Sequence, residues 1–138
     1  MVELVRAGRT AEEQLAIPLV PRIDLVYTCR MDDDVLERLA QCTGFDWDSG
    51  NAPKLWERHQ VTPGECEQVF FGEPLLIAPD ARHSQTERRW AAWGRTAEGR
   101  ALAVVFTLRG EMIRPLSARD MNRKERRLYE QVEIEADS

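Results

Sequence analysis

Between Arg88 and Ala118 the chain reads as three β-strands joined by turns too short for anything but antiparallel pairing. Ala101–Leu108 (ALAVVFTL) is an almost unbroken apolar run rich in β-branched residues, the pattern of a central strand. Before it, Arg88–Trp93 alternates. Arg89, Ala91 and Trp93 share one face, and Arg88, Trp90 and Ala92 the other. The intervening turn, Ala97-Glu98-Gly99-Arg100, carries the glycine that a hairpin loop wants. Met112–Ala118 follows a turn at Arg109-Gly110. Pro115 inside it has no N–H to donate and marks an edge strand or a bulge. Leu75–Ala78, stopped by Pro79, is a fourth strand. This block dictates an α+β class built on a four-stranded antiparallel sheet.

Helical punctuation surrounds it. Ala52–His59 has Pro53 in its first turn. A second short helix starts after Thr62, with Pro63 at its first position and Glu65 at the capping-box spacing, and Gly72 and Pro74 end it. The last helix spans Arg123 to about Glu133, with Asn122 as cap and Glu125 three residues on. Phe45-Asp46-Trp47-Asp48 opens this unit as a short alternating segment. Residues 1–44 differ in character. They suggest a helix over Ala11–Ile17, a strand over Ile23–Cys29 and a helix from Asp34 through Gln41. The expected organisation is an N-terminal extension, 1–44, and a domain, 45–134. Met31 is an alternative start within the extension.

Several classes fall away. No stretch of the 138 residues approaches the ~20 apolar residues of a membrane span. The opening MVELVRAGRTAEEQ has no apolar run after a basic start, so no secretory leader is expected. Cys29, Cys42 and Cys66 form no CxxC pair, which argues against a disulfide frame or zinc knuckle and for a reduced, cytoplasmic setting. No metal site or cofactor is expected: the sequence holds no HxH, HExxH, phosphate loop or dinucleotide fingerprint, and Asp80 with His83 is a lone pair. Net charge is −5, but its distribution is lopsided. Arg82–Arg127 holds 12 Lys and Arg against 5 Asp and Glu; the rest holds 7 against 19. A basic face beside an acidic one is the footprint of phosphate contact on one side.

From Phe45 to Gln131 the chain resembles the BrnT toxins of bacterial type II toxin–antitoxin systems. The resemblance rests on segments in order: FDWD at 45–48, ERHQVTPGECEQVFFGEPL at 57–75, PDARHS at 79–84, ERRWAAWGRTAEGRALAVVFT at 87–107 and IRPLSARDMNRKERRLYE at 113–130. It implies a RelE-like fold and an endoribonuclease that cleaves RNA and inhibits translation. It also implies a BrnA-like antitoxin, with operator DNA contacted only through the antitoxin complex. Two positions depart from the family pattern. Pro115 replaces an apolar β-former, and Gln60 stands where the family usually has Gly after the helix histidine.

RNA cleavage without a metal needs a group to take the 2′-OH proton, a cation for the charge developing on the phosphoryl oxygens, and an acid for the leaving 5′-oxygen. The two histidines, His59 and His83, both fall in family segments and suit proton transfer. His59 equally suits a helix C-terminus, where a cation meets the dipole. Glu87 is a third acid–base candidate, or an ion-pair partner for Arg89 or Arg95. Arg95, Arg114 and Arg119 are candidate phosphate clamps. Arg89 and Arg95 share parity, whereas Arg114 and Arg119 do not, unless a bulge near Pro115 brings them together. Arg82, Arg89, Ser117, Arg123, Arg126 and Arg127 are candidate RNA contacts. Cations in the first turn of a helix oppose its dipole, so the Arg123–Arg127 cluster needs another reason for being there. Trp90 and Trp93 alternate faces, so at most one can stack a base. A different reading is a catalytically inactive RNA- or DNA-binding module using the same basic face. The acidic triplet Asp32, Asp33 and Asp34 raises a third role for the extension, weakening RNA binding in cis.

Overall fold

The computed structural model describes residues 4–6, 26–29, 33–80 and 86–136. Within them lie strands β1 (Leu4–Arg6), β2 (Val26–Cys29), β3 (Gly44–Phe45), β4 (Leu75–Pro79), β5 (Trp90–Arg95), β6 (Ala101–Arg109) and β7 (Met112–Asp120). The helices are α1 (Asp33–Ala40), α2 (Ala52–His59), α3 (Pro63–Phe71) and α4 (Arg123–Ala136). The class is α+β. The helix expected at Ala11–Ile17 lies outside the described residues.

The sheet corrects the expectation of four antiparallel strands. β4, β5, β6 and β7 do pair antiparallel in that order. The sheet then continues on both sides by parallel pairing, β2 along β4 and β3 along β7, with β1 antiparallel to β2 outside. The result is one mixed seven-stranded sheet, β1-β2-β4-β5-β6-β7-β3. Hairpin turns announce antiparallel neighbours in the sequence; the parallel partners are distant in the chain and leave no such local mark. α1 is the helix expected from Asp34 through Gln41, so among the described residues three helices, not two, precede the antiparallel block.

Helices α1, α2 and α3 bury one face. Val35, Leu39, Leu55, Val61, Val69 and Phe70 pack on Leu75, Ile77, Trp90, Val104 and Phe106. Phe70 stands edge-on to Phe106, 5.1 Å between centroids, and Trp90 stacks on the same ring at 5.8 Å. Trp90 is therefore core, and the Arg38 and Arg88 guanidiniums sit over it. Two glycines set how closely α3 approaches β5. A Cβ at Gly72 would stand 2.8 Å from the Arg95 carbonyl, and one at Gly94 3.0 Å from that of Val69. Asp34, in α1, pairs with Arg88 at 2.6 Å, so this part of the acidic segment meets the chain just before β5.

Helix α4 covers one end of the opposite face. Tyr129 and Val132 pack against Leu76, Ala101, Met121 and Trp93. The buried Tyr129 hydroxyl donates to the Pro74 carbonyl at 2.6 Å, a bond that fixes the helix to the start of β4. Asn122 and Glu125 form the expected reciprocal cap, with Glu125 N–H donating to Asn122 at 2.8 Å and Asn122 N–H to Glu125 at 2.9 Å.

The end of α2 explains one departure from the family pattern. Gln60 N–H donates to Trp56 O, the bond of an αL C-cap, and Val61 N–H reaches back to Leu55 O. This motif places Gln60 in the left-handed region, φ 52 and ψ 44. A glycine adopts that conformation freely, whereas a side chain costs about 1–2 kcal/mol there. Because glycine also loses more entropy on folding, Gln60→Gly is expected to stabilise the protein by about 0.5–1 kcal/mol. A thermal melt raised by about 2–4 °C is the measurement; an unchanged or lower midpoint contradicts the strain.

Candidate active site

The part of the second face that α4 leaves uncovered forms a groove of about 470 Å³. Ala91, Trp93, Val105 and Ser117 make its floor. Arg58 and His59 enter from the end of α2, Pro79 and Asp80 from the end of β4, and Arg119 from β7. An apolar floor of flat and branched side chains, edged by two guanidiniums, an imidazole and a hydroxyl, fits a nucleobase beside its phosphate.

A β-bulge decides which β7 side chains face this groove. Val105 pairs with Ser117 but Phe106 with Pro115, so Leu116 is the extra residue. The insertion reverses parity and puts Arg114 on the face of Ser117 and Arg119, the effect that Pro115 suggested in the sequence. Arg114 nevertheless does not line the groove. It is 7% exposed, and both its Nη atoms donate to Asp48 at 3.0 Å, with Asp46 at 3.4 Å. The guanidinium fork and the Gly50 N–H hold the Asp48 carboxyl below its usual range. Buried Asn51 completes this corner. Its amide nitrogen donates to the Asp46 and Pro115 carbonyls at 2.9 and 2.8 Å, and its oxygen accepts from Asp48 N–H at 2.8 Å. Pro115 thus sits where β7 is handed from β3 to α2.

Arg95 is also taken elsewhere. Its Nε and Nη2 pair with Glu133 at 2.9 and 3.0 Å, Nη1 donates to Gly99 O, and its guanidinium lies 5.6 Å from the Tyr129 ring centroid. It ties β5 to α4. Glu87 faces Arg109 at 3.3 Å and Arg89 at 3.9 Å, and neither Glu87 nor Arg89 lines the groove. Arg123, Arg126 and Arg127 line a separate cleft on α4 with Met121 and Glu130. Arg82 and His83 lie outside the described residues. Of the candidates, the groove brings together His59, Ser117 and Arg119. Arg58 and Asp80 join them; Arg58 carried no signal beyond its place beside His59, and Asp80 stood out only as the lone neighbour of His83.

Arg119 is held in place at the rim. Its two Nη1 and Nη2 groups donate to Glu125 at 2.7 and 3.0 Å. Burial opposes the charge on Glu125, but the Arg119 fork and the Asn122 N–H outweigh it and keep the carboxyl below its ordinary range. Glu125 therefore caps α4 and orients Arg119 with the same carboxylate. Burial pushes the Cys42 thiol up to about 11 and Cys66 up to about 12, so both are inert apolar side chains here. Among the described residues no group of three or more His, Cys, Asp or Glu could hold a metal ion, and no helix is long and apolar enough to cross a membrane.

The family model for the ribonuclease toxin BrnT of type II toxin–antitoxin systems matches residues 47–125. The chain belongs to the BrnT family. That match includes every described residue of the groove, from Arg58 to Arg119, and ends on Glu125, the partner of Arg119. A search of curated proteins finds no match. As a BrnT-family toxin of a type II system, the chain has an antitoxin as its implied partner.

Proposed function

We propose that this BrnT-family chain is a metal-independent endoribonuclease that cleaves RNA in the groove, inhibits translation in the cytoplasm and is neutralised by a BrnA-like antitoxin. Operator DNA is met only through the antitoxin complex. The observation that carries the reading is the convergence of His59, Arg58, Ser117 and Arg119 over a floor that contains Trp93. In this scheme the 2′-oxygen attacks phosphorus, the bond from phosphorus to the 5′-oxygen breaks, and a 2′,3′-cyclic phosphate and a 5′-hydroxyl result. Arg58 and Arg119 meet the charge growing on the phosphoryl oxygens, and the Ser117 hydroxyl donates to one of them. His59 transfers one of the two protons. His83, the other histidine of the chain, is proposed for the second. Arg82, Arg89 and the Arg123, Arg126 and Arg127 cluster would carry flanking phosphates, which accounts for cations at a helix start where the dipole disfavours them.

Induced expression is expected to arrest growth, and purified protein to cleave RNA in EDTA, leaving cyclic-phosphate ends. Loss of cleavage on chelation would overturn the metal-free mechanism. Protein that binds RNA but leaves it intact at every dose would instead establish an inactive binding module.

A further inference from the structure

The turn at Gly99-Arg100 joins β5 to β6, yet the Arg100 side chain reaches three other elements. Its Nη2 donates to the His59 carbonyl at 3.2 Å and its Nη1 to the Gln60 carbonyl at 2.9 Å. Nη1 also meets Glu65 of α3 at 3.2 Å, while Nε and Nη2 clasp Asp120 of β7 at 2.8 and 3.3 Å. The two carbonyls are acceptors that the end of α2 cannot satisfy internally, because no further helical turn supplies N–H groups. A guanidinium suits this place doubly: it offers donors in a rigid fork, and its charge meets the negative end of the helix dipole. Asp120 is the immediate neighbour of Arg119, and Glu65 caps α3 through Thr62. One side chain therefore spans from the backbone of His59 to the strand that bears Ser117 and Arg119.

We infer that Arg100 is a positioning residue of the RNA-cleaving groove, fixing the imidazole of His59 relative to Ser117 and Arg119 without touching substrate. The inference rests on the groove reading above and extends it to a residue outside the groove lining. Arg100 ties the last residue of α2 to the end of β7 by hydrogen bonds at both ends. A lysine in its place keeps a cation but has one nitrogen for four partners, so the helix end would drift. Misplacement of a reacting group by about 1 Å costs on the order of 10²-fold in rate.

The experiment is a double-mutant cycle in the full chain. Arg100→Lys is expected to fold, to lower the single-turnover cleavage rate at saturating RNA on the order of 10²-fold, and to change KM by less than about threefold. In a His59→Ala background the same substitution should add less than about threefold, because a residue acting through His59 has nothing left to position. Asp120→Asn, at an exposed side chain that anchors Arg100, is expected to fold and to give a smaller loss with the same dependence on His59. Equal losses with and without His59 would overturn the inference and make Arg100 a general structural clamp. The His59 ring resonances supply a readout independent of activity, and only two histidines need be distinguished. They should shift in Arg100→Lys; an unmoved His59 signal overturns the inference. If the unaltered protein cleaves no RNA, the ribonuclease reading fails by itself, and the ring resonances alone decide whether Arg100 places His59.

Discussion

Arg119→Ala is expected to lower the rate of RNA cleavage by about 10²–10³-fold, equivalent to about 3–4 kcal/mol of lost transition-state stabilisation, while changing the melting temperature little. The reason lies in the pairing with Glu125. That carboxylate already holds the guanidinium in a defined orientation at the groove rim, so under the proposed mechanism the cation would need little reorganisation when charge develops on a phosphoryl oxygen. The native pair is close to half exposed on the arginine side, and losing it costs little stability. Arg95→Ala and Arg114→Ala should behave in the opposite way. Arg95 joins β5 to Glu133 of α4, and Arg114 joins β7 to Asp46 and Asp48. Their loss should appear in the melt, by about 1 kcal/mol each, and in cleavage only as far as folding is impaired. Equal loss of activity for all three arginines, with folding intact, would mean a diffuse cationic surface rather than a site.

Asn51→Ala is expected to destabilise the fold by about 3 kcal/mol, lowering the melting temperature by about 10 °C. Asn51 is 1% exposed, and its amide satisfies two carbonyls on different segments. Alanine would strand the Pro115 carbonyl in a buried place with no donor, and such an orphaned acceptor costs about 1–3 kcal/mol by itself. Asn51→Asp keeps the acceptor for Asp48 N–H but loses both donated bonds, so it should be no better than alanine. A melt within about 2 °C of the unaltered protein for either variant would show that the corner is not held by this amide.

What the sequence disclosed follows from which contacts are local. The bounds of α2, the capping boxes at Thr62 and Asn122, and the hairpins around Gly99 and Gly110 are set by residues within a few positions of one another, and the structure has them where the spacing placed them. The bulge was legible because proline cannot serve an ordinary ladder position. The pairing of Val26–Thr28 with Leu75–Ile77 was not, since a parallel neighbour depends on a distant partner and has no turn to announce it. The roles of Arg95 and Arg114 were hidden for a related reason. Parity tells which face a strand residue takes, but not that Glu133, 38 residues on, covers that end of the face, nor that Asp48 lies 66 residues before its arginine. Arg100 lay within the quoted hairpin segment as a turn residue; nothing in its neighbours signals that its side chain closes the far end of α2.

The parallel addition of β2 has a bearing on how other chains can approach. In a sheet that began at β4, the outer row of N–H and C=O groups along Leu75–Ile77 would be an open template for a visiting strand. Here Val26–Thr28 occupies that row, and Leu4–Arg6 in turn occupies the outer side of β2. On this side of the sheet, a polypeptide that recognises the protein by adding a strand must therefore pair beyond β1 or first displace residues 26–29. One that recognises it through side chains, at the groove or along α4, faces no such competition.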